Sequence, residues 1–402
     1  MTALSIVIPA YNEEGGIADI IHRVLKIKKD LPAVGVDHFE LVVVNDGSKD
    51  KTRQIAEGLC AECEDLRVIN HPVNRGYGAA LKTGFSHAKG DLIGFLDADG
   101  TYPPELFPKL CQSAINDSDL VVGSRMLGER SEMPFTRRIG NLFFARLISL
   151  LSTQSVSDCA SGMRVFRREV LEQIYPLPDG LHLTPVMSAR ALHEGIRIKE
   201  IAIPYSERVG RSKLSVLRDG MIFLQSIIWT VLTYNPMRIF GMIGLAGLLF
   251  AAIAMLILLI SRLSGVTSLD AWGIAGLFGA LVAGVSGVSF FSLGYTFNFL
   301  VSFFYKRPIR QGLFGKPIFK KPLYRHFWWA GLLAILLSGG IATTSLVLGI
   351  NGWEISRLWL YLLISAMMFL TGAQLVIYWI LLRVMDELSR REISIHNDLH
   401  PI

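Results

Sequence analysis

The chain has 402 residues, of which 51% are apolar and 18% charged, and its formal net charge is +6. That apolar share excludes an ordinary soluble enzyme of this size, and a modest positive charge without interleaved aromatic and basic residues excludes a nucleic-acid surface. Four cysteines, with Cys60 and Cys63 as the single C-x-x-C pair, make neither a four-ligand zinc site nor a disulfide framework, so they are read as structural.

In chain order, Ser5-Ile6-Val7-Ile8 reads as a buried strand that ends in Pro9-Ala10-Tyr11-Asn12-Glu13-Glu14. A second strand, Leu41-Val42-Val43-Val44, runs into Asn45-Asp46-Gly47-Ser48. A third, Arg67-Val68-Ile69, leads to Asn74-Arg75-Gly76-Tyr77-Gly78. The apolar run 92–96 ends in Asp97-Ala98-Asp99-Gly100. The first three turns open into helical patterns. Apolar strands alternating with helices predict a mostly parallel α/β sheet covered on both faces. Such sheets bind ligands outside the carboxyl ends of their strands. Tyr11, Glu13, Asp46, Asp97 and Asp99 therefore collect in one crevice. Two carboxylates two residues apart suit Mg²⁺ or Mn²⁺, ions that bridge carboxylates to a diphosphate.

Two later stretches, 139–151 and 216–233, carry apolar residues at helical spacing: Phe143, Phe144, Leu147, Ile148 and Leu151 in the first, Met221, Leu224, Ile228 and Leu232 in the second. Their basic flanks, Arg137, Arg138, Arg218 and Arg238, favour helices lying at a membrane interface. Four longer apolar stretches follow at 239–260, 273–305, 328–350 and 358–382. None contains a charge, and each exceeds the roughly 20 residues that cross a bilayer. The expected organisation is a cytosolic domain 1–215, a juxtamembrane amphipathic helix 216–238, four transmembrane helices within 239–382 and a cytosolic tail 383–402. No signal peptide precedes the first strand. The loop 306–327 carries seven Lys/Arg against one Arg in each of 261–272 and 351–357, which puts the first domain, that loop and the tail on the cytosolic side. The expected location is a multi-pass protein in the plasma membrane of a prokaryote. The last pair of spans has no chemical assignment.

The segments SIVIPAYNEE, VVVNDGSKDKT, NRGYGAALKTGF, FLDADGTYPPE and VVGSR occur in this order, followed by SGMRVFRREVL and IPYSERVGRSKLS. Together they resemble a family 2 glycosyltransferase of the GT-A fold, a Rossmann-like mostly parallel sheet. The last two resemble its polyprenyl-phosphate branch, which includes dolichyl-phosphate mannose synthase and bacterial undecaprenyl-phosphate sugar transferases. The resemblance spans about residues 4–235.

The resemblance implies a hexosyltransferase that moves a sugar from a UDP- or GDP-linked donor to a polyprenyl (undecaprenyl or dolichyl) phosphate, with inversion by in-line displacement. It implies Asp97 and Asp99 as metal ligands for Mg²⁺ or Mn²⁺. Thr101 stands where the family often has an amide ligand, so the shell uses a hydroxyl or more water. Pro9, Tyr11, Glu13 and Asp46, with Asp97, Ala98 and Asp99, match the nucleotide-binding positions. Asp46 alone would equally be a turn former before Gly47. Lys82 faces either the diphosphate or water. A phosphate acceptor is mostly dianionic at neutral pH and needs no general base, only a basic cradle, best built from Arg. The candidates are Arg125, Arg138, Arg208, Arg211, Ser212 and Lys213. One residue fewer than usual separates the Arg and Ser-Lys of this motif, so Arg211 shares the role given to Arg208. Asp158 orients the sugar or acceptor, acts as a base, or caps a helix. Two rival readings are a processive polysaccharide synthase, disfavoured because the chain has no Arg-Trp dipeptide, and a non-catalytic lipid-sugar translocation or scaffold protein. The particular sugar and homo-oligomerisation stay open.

Overall fold

The computed structural model describes residues 2–128, 131–152, 154–206, 215–266, 269–305, 323–353 and 355–399. It divides into two compact units, Met1–Val231 and the chain from Leu232 onward.

The first unit alternates strands and helices. In order they are β1 (Ala3–Ala10), α1 (Ile17–Lys26), β2 (His38–Asn45), α2 (Thr52–Glu62), β3 (Leu66–Asn70), α3 (Tyr77–His87), β4 (Leu92–Phe95), α4 (Phe107–Asn116) and β5 (Leu120–Ser124). There follow α5 (Phe135–Leu151), β6 (Arg164–Arg167), α6 (Glu169–Ile174), α7 (Leu183–Glu194), β7 (Ile198–Ala202) and α8 (Val216–Tyr234). The strands form one sheet in the order β3-β2-β1-β4-β6-β5-β7. β1 pairs in parallel with β2 and β4 in registers such as Ile6↔Leu41 and Val7↔Phe95. Side chains alternate across the sheet. Leu4, Ile6 and Ile8 pack with α1 on one face, while Val7, Val42 and Val44 pack with Leu81 and Phe85 of α3 on the other. α1 shows why it docks: Ile17, Ile20, Ile21 and Val24 are spaced i, i+3, i+4, i+7 and all are buried. Each such side chain contributes about 1.5–3 kcal/mol on burial.

One strand departs from the parallel pattern. β6 runs antiparallel to both β4 and β5, pairing Arg164 with Phe95 and with Val122. Its entering end, not its leaving end, therefore lies at the carboxyl edge of the parallel strands. That reversal brings residues 157–164 to the crevice.

The first unit extends beyond the expected boundary at 215, because Phe223, Ile227 and Val231 of α8 are buried and Phe223 meets Phe144 of α5 with ring centroids 5.8 Å apart. α8 ends at Tyr234, where Asn235 leaves the helical conformation (φ −150°, ψ 72°) and Pro236 starts the next helix. α5 differs from its expected single apolar face. Phe144, Ile148 and Leu151 turn inward or are half-buried, whereas Ile139 and Phe143 are more than half exposed. α8 likewise exposes Leu217, Met221 and Trp229.

The second unit contains α9 (Pro236–Leu263), α10 (Ala271–Tyr305), α11 (Phe327–Ile350) and α12 (Ile355–Leu399). Four segments within it, Pro236–Leu263, Ala271–Phe304, Tyr324–Ile350 and Leu358–Leu388, are long and apolar enough to cross a membrane. A hydrocarbon interior demands this form, since a helix satisfies its own backbone groups. α9 and α10 approach closely where a side chain on Gly244 would meet the Gly287 carbonyl at 2.7 Å and one on Gly287 the Gly244 carbonyl at 2.9 Å. α12 continues to Leu399, through most of the stretch 383–402 expected as a tail. Arg238, one of the basic flanks, is 5% exposed. The last spans do carry polar contacts: Gln374 Nε2 donates to Ser289 Oγ at 2.8 Å and the Tyr378 hydroxyl to the Ser289 carbonyl at 3.4 Å.

Candidate active site

The turns after β1 and β2 are stitched together before they reach the crevice. Asn12 holds a left-handed conformation (φ 51°), its Oδ1 accepts the Lys49 N–H at 2.8 Å, and its own N–H donates to Ser48 Oγ at 3.0 Å. Thr52 Oγ1 accepts the Glu13 N–H at 2.8 Å. Asp46, at the end of β2, is 2% exposed and fastens the next turn. Its Oδ1 accepts from Arg75 N at 2.9 Å and meets His71 Nδ1 at 2.6 Å, and its Oδ2 accepts from Gly76 N at 2.8 Å. His71 Nε2 continues to Thr83 Oγ1 at 2.9 Å. Asp46 thus has a built-in structural task beside any ligand contact.

These turns open onto a cavity of about 520 Å³. Pro9, Tyr11, Glu13, Asp46, Asp97, Ala98, Asp99 and Arg125 all line it. Asn141, Phe144, Thr184, Tyr205, Asp219 and Phe223 close the far side. Arg138 is exposed and does not line the cavity. Arg137 does, in phase with Gly140, Asn141 and Phe144, because one residue along a helix turns a side chain by about 100°. Arg208, Arg211, Ser212 and Lys213 lie outside the described residues.

The two carboxylates are held by hydroxyls. The Tyr77 hydroxyl donates to Asp97 Oδ1 at 2.7 Å. Thr101 donates to Asp99 Oδ1 through its hydroxyl at 2.6 Å and its N–H at 3.2 Å. Thr101 is 1% exposed and absent from the cavity wall, so its hydroxyl orients Asp99 rather than completing a metal shell. Gly162 backs Asp97, and a side chain there would collide with the carboxylate. The pair offers hard oxygen donors that fit Mg²⁺ or Mn²⁺. Among the described residues no group of three or more His, Cys, Asp or Glu could hold a cation alone.

From the cavity wall Arg125 donates Nε to Asp158 Oδ2 at 2.8 Å and Nη2 to Oδ1 at 2.7 Å. The Asp158 side chain is fully buried and the Arg125 side chain 11% exposed. Burial alone would raise the Asp158 carboxyl, but the Arg125 charge and its hydrogen bonds hold it below the ordinary carboxylate value. Burial opposes charge on Arg125, yet Asp158 and the phenols Tyr102 and Tyr205 keep it well above its ordinary value. The Tyr102 and Tyr205 ring centroids lie 5.9 and 5.3 Å from its guanidinium carbon. Asp158 does not line the cavity, which leaves it as the residue that orients Arg125 and not as a base in reach of a substrate. Glu200 fixes its backbone, accepting from the Asp158 N–H at 2.9 Å.

Arg164 is fully buried, donating to the Ser161 and Cys159 carbonyls at 3.1 and 2.7 Å. Burial pulls its guanidinium below its ordinary value, against the nearby Asp158 charge. Lys82 does not line the cavity. Its Nζ donates to the Leu177 carbonyl at 3.0 Å and meets Asp179 Oδ1 at 2.6 Å, strapping down the segment that brings Gly180 and Leu181 to the cavity.

The family model described as glycosyl transferase family 2 matches residues 5–175, from the first strand to the end of α6. A dolichyl-phosphate hexose transferase of Haloferax volcanii is 33% identical over 225 residues, which cover 56% of this chain and 92% of that protein. The chain belongs to glycosyl transferase family 2. The sheet of this glycosyltransferase is accordingly a GT-A sheet. The low-salt glycan biosynthesis hexosyltransferase Agl6 of Haloferax volcanii is 35% identical over 221 residues. That match covers 54% of this glycosyltransferase and 51% of Agl6, so the chain spans about half the length of that relative. An undecaprenyl-phosphate 4-deoxy-4-formamido-L-arabinose transferase of Proteus mirabilis is 32% identical over 244 residues, 60% of this chain and 71% of that protein. A second family model, described as a domain of unknown function, matches residues 236–396.

Proposed function

We propose that this glycosyltransferase moves a hexose or related sugar from a nucleotide-sugar onto a polyprenyl phosphate at the cytosolic face of a membrane. The observation that carries the reading is the composition of this cavity in the first unit. It joins the Asp97–Asp99 pair to Arg125 and to an apolar rim containing Phe144 and Phe223. A charged donor, a phosphate and a hydrocarbon chain each find their chemistry there. The relatives named for dolichyl-phosphate and undecaprenyl-phosphate support the acceptor class.

The turns bearing Tyr11, Glu13 and Asp46 would bind the nucleoside. Asp97 and Asp99 would hold Mg²⁺ or Mn²⁺, which supplies counter-charge to a departing nucleoside diphosphate. Arg125, pre-set by Asp158, would hold the acceptor phosphate against the anomeric carbon, with Arg208, Arg211, Ser212 and Lys213 as the proposed rest of the cradle. A guanidinium fork suits phosphate oxygens, and two-point anchoring holds the attacking oxygen in line for inversion. The dianion attacks directly, so the residues need to hold rather than to deprotonate. The exposed apolar residues Ile139 and Phe143 of α5 and Met221 and Trp229 of α8 support contact with lipid beside the site. The excess of Lys/Arg in 306–327 supports a cytosolic catalytic face.

A screen of radiolabelled UDP- and GDP-sugars against membranes containing the full chain and supplied with polyprenyl phosphate tests this. Label should enter the lipid fraction from one donor and fall on the order of 10²-fold in Asp97→Ala. Donor hydrolysis without lipid label from any sugar would refute the acceptor. Undiminished transfer by Asp97→Ala would refute the metal assignment.

A further inference from the structure

We propose that Tyr77 is a positioning residue that sets the affinity of the Asp97–Asp99 pair for a divalent cation, an inference that rests on the cation reading above.

The geometry is specific to this residue. Tyr77 lines the cavity and its hydroxyl donates to Asp97 Oδ1 at 2.7 Å. A carboxylate can rotate about its last bond, and a fixed donor on one oxygen selects which oxygen a cation meets. Tyr77 is such a donor because its backbone is clamped on both sides. Before it, Arg75 N and Gly76 N bind the two oxygens of Asp46 at 2.9 and 2.8 Å. After it, Ala79 N donates to the Asp179 carbonyl at 3.1 Å. Gly76, at φ +104°, supplies the left-handed turn that points the next residue into the crevice. On its other side Asp97 rests against Gly162, which has no side chain to displace it.

Asp46 thereby acquires a second purpose. Its carboxylate is the peg on which the turn carrying Tyr77 hangs, so the end of β2 is coupled mechanically to the end of β4. A purely structural tyrosine would affect folding. A positioning tyrosine affects cation affinity while the fold stands.

The test is a Mn²⁺ titration followed by electron paramagnetic resonance on the detergent-solubilised full chain, with and without UDP or GDP. Wild type is compared with Tyr77→Phe, Gly162→Ala and Asp97→Asn, and unfolding temperature is read in parallel. Tyr77→Phe should weaken Mn²⁺ binding on the order of tenfold with its unfolding temperature little changed, the scale at which lost supporting hydrogen bonds act on metal sites. Gly162→Ala, which crowds the carboxylate from the other side, should weaken it as well and serves if Tyr77→Phe does not fold. Wild-type affinity in a folded Tyr77→Phe, with binding lost in Asp97→Asn, would overturn this inference alone. Unchanged binding in Asp97→Asn, or none in wild type, would overturn the cation reading beneath it.

Discussion

Arg125, on the cavity wall, and Asp158, buried behind it, form a two-point ion pair, 2.8 and 2.7 Å, although 33 residues separate them in the chain. A pair this dry is costly to break, because removing one partner strands the other charge. Asp158→Asn should destabilise the catalytic unit by about 3–5 kcal/mol, read by denaturant unfolding. Adding Arg125→Met should recover much of that loss, because no charge is then left alone. A double variant no more stable than Asp158→Asn would mean that the two residues do not act as a pair.

The same pair gives a direction for acid sensitivity. The Asp158 carboxyl is held below its ordinary value in the folded chain. As pH falls, the unfolded chain takes up this proton first, near pH about 4, and the folded chain only lower. Its stabilisation is complete above that value and is lost as pH drops through the folded one. Unfolding free energy followed from pH 6 to 3 should decline less steeply in the Arg125→Met, Asp158→Asn double variant than in wild type.

The cysteines should differ sharply in reactivity. Burial pushes the Cys111 and Cys159 thiols up to about 12. Cys60 and Cys63, at the end of α2, are half-buried. Only a thiolate reacts quickly. A maleimide at pH 8 should label Cys60 and Cys63 in the native chain and reach the other pair only on unfolding, as peptide mapping would report.

The strand ends carrying Asp46, Asp97 and Asp99 were legible in the sequence because buried strands write themselves as apolar runs, and a polar turn after such a run marks the binding edge. The direction of β6 was not legible. Arg164-Val-Phe-Arg167 pairs as well antiparallel as parallel, and only its neighbours β4 and β5 decide. With β6 reversed, Asp158 approaches from behind the wall, which no spacing in the chain reveals. That Arg137 and not Arg138 lines the cavity was not legible, because a helix near an interface can be apolar on two sides. α5 offers both an inward and an outward stripe, and its phase depends on what it packs against. Tyr77 was hidden within a glycine-rich turn that reads as punctuation.

Lys82 gives a graded prediction. Its contacts with Leu177 and Asp179 hold the wall segment that presents Gly180 and Leu181. Asp179 is largely exposed, so the ion pair itself contributes little. Lys82→Met should raise the donor KM several-fold, on the scale of one lost hydrogen bond of about 1 kcal/mol, and leave kcat nearly unchanged. A collapse of kcat would instead put Lys82 on the diphosphate.

The central claim is that the nucleophile is a lipid phosphate held, and not deprotonated, by the protein. It is tested most directly by offering the full chain, with its labelled donor, a polyprenyl phosphate and the matching polyprenol in parallel, across pH 5 to 8. Label should appear on the phosphate alone and fall as pH drops through about 6, where the phosphate dianion is lost. Equal labelling of the free alcohol would contradict the account, because a hydroxyl needs a base and the buried Asp158 is in no position to serve as one.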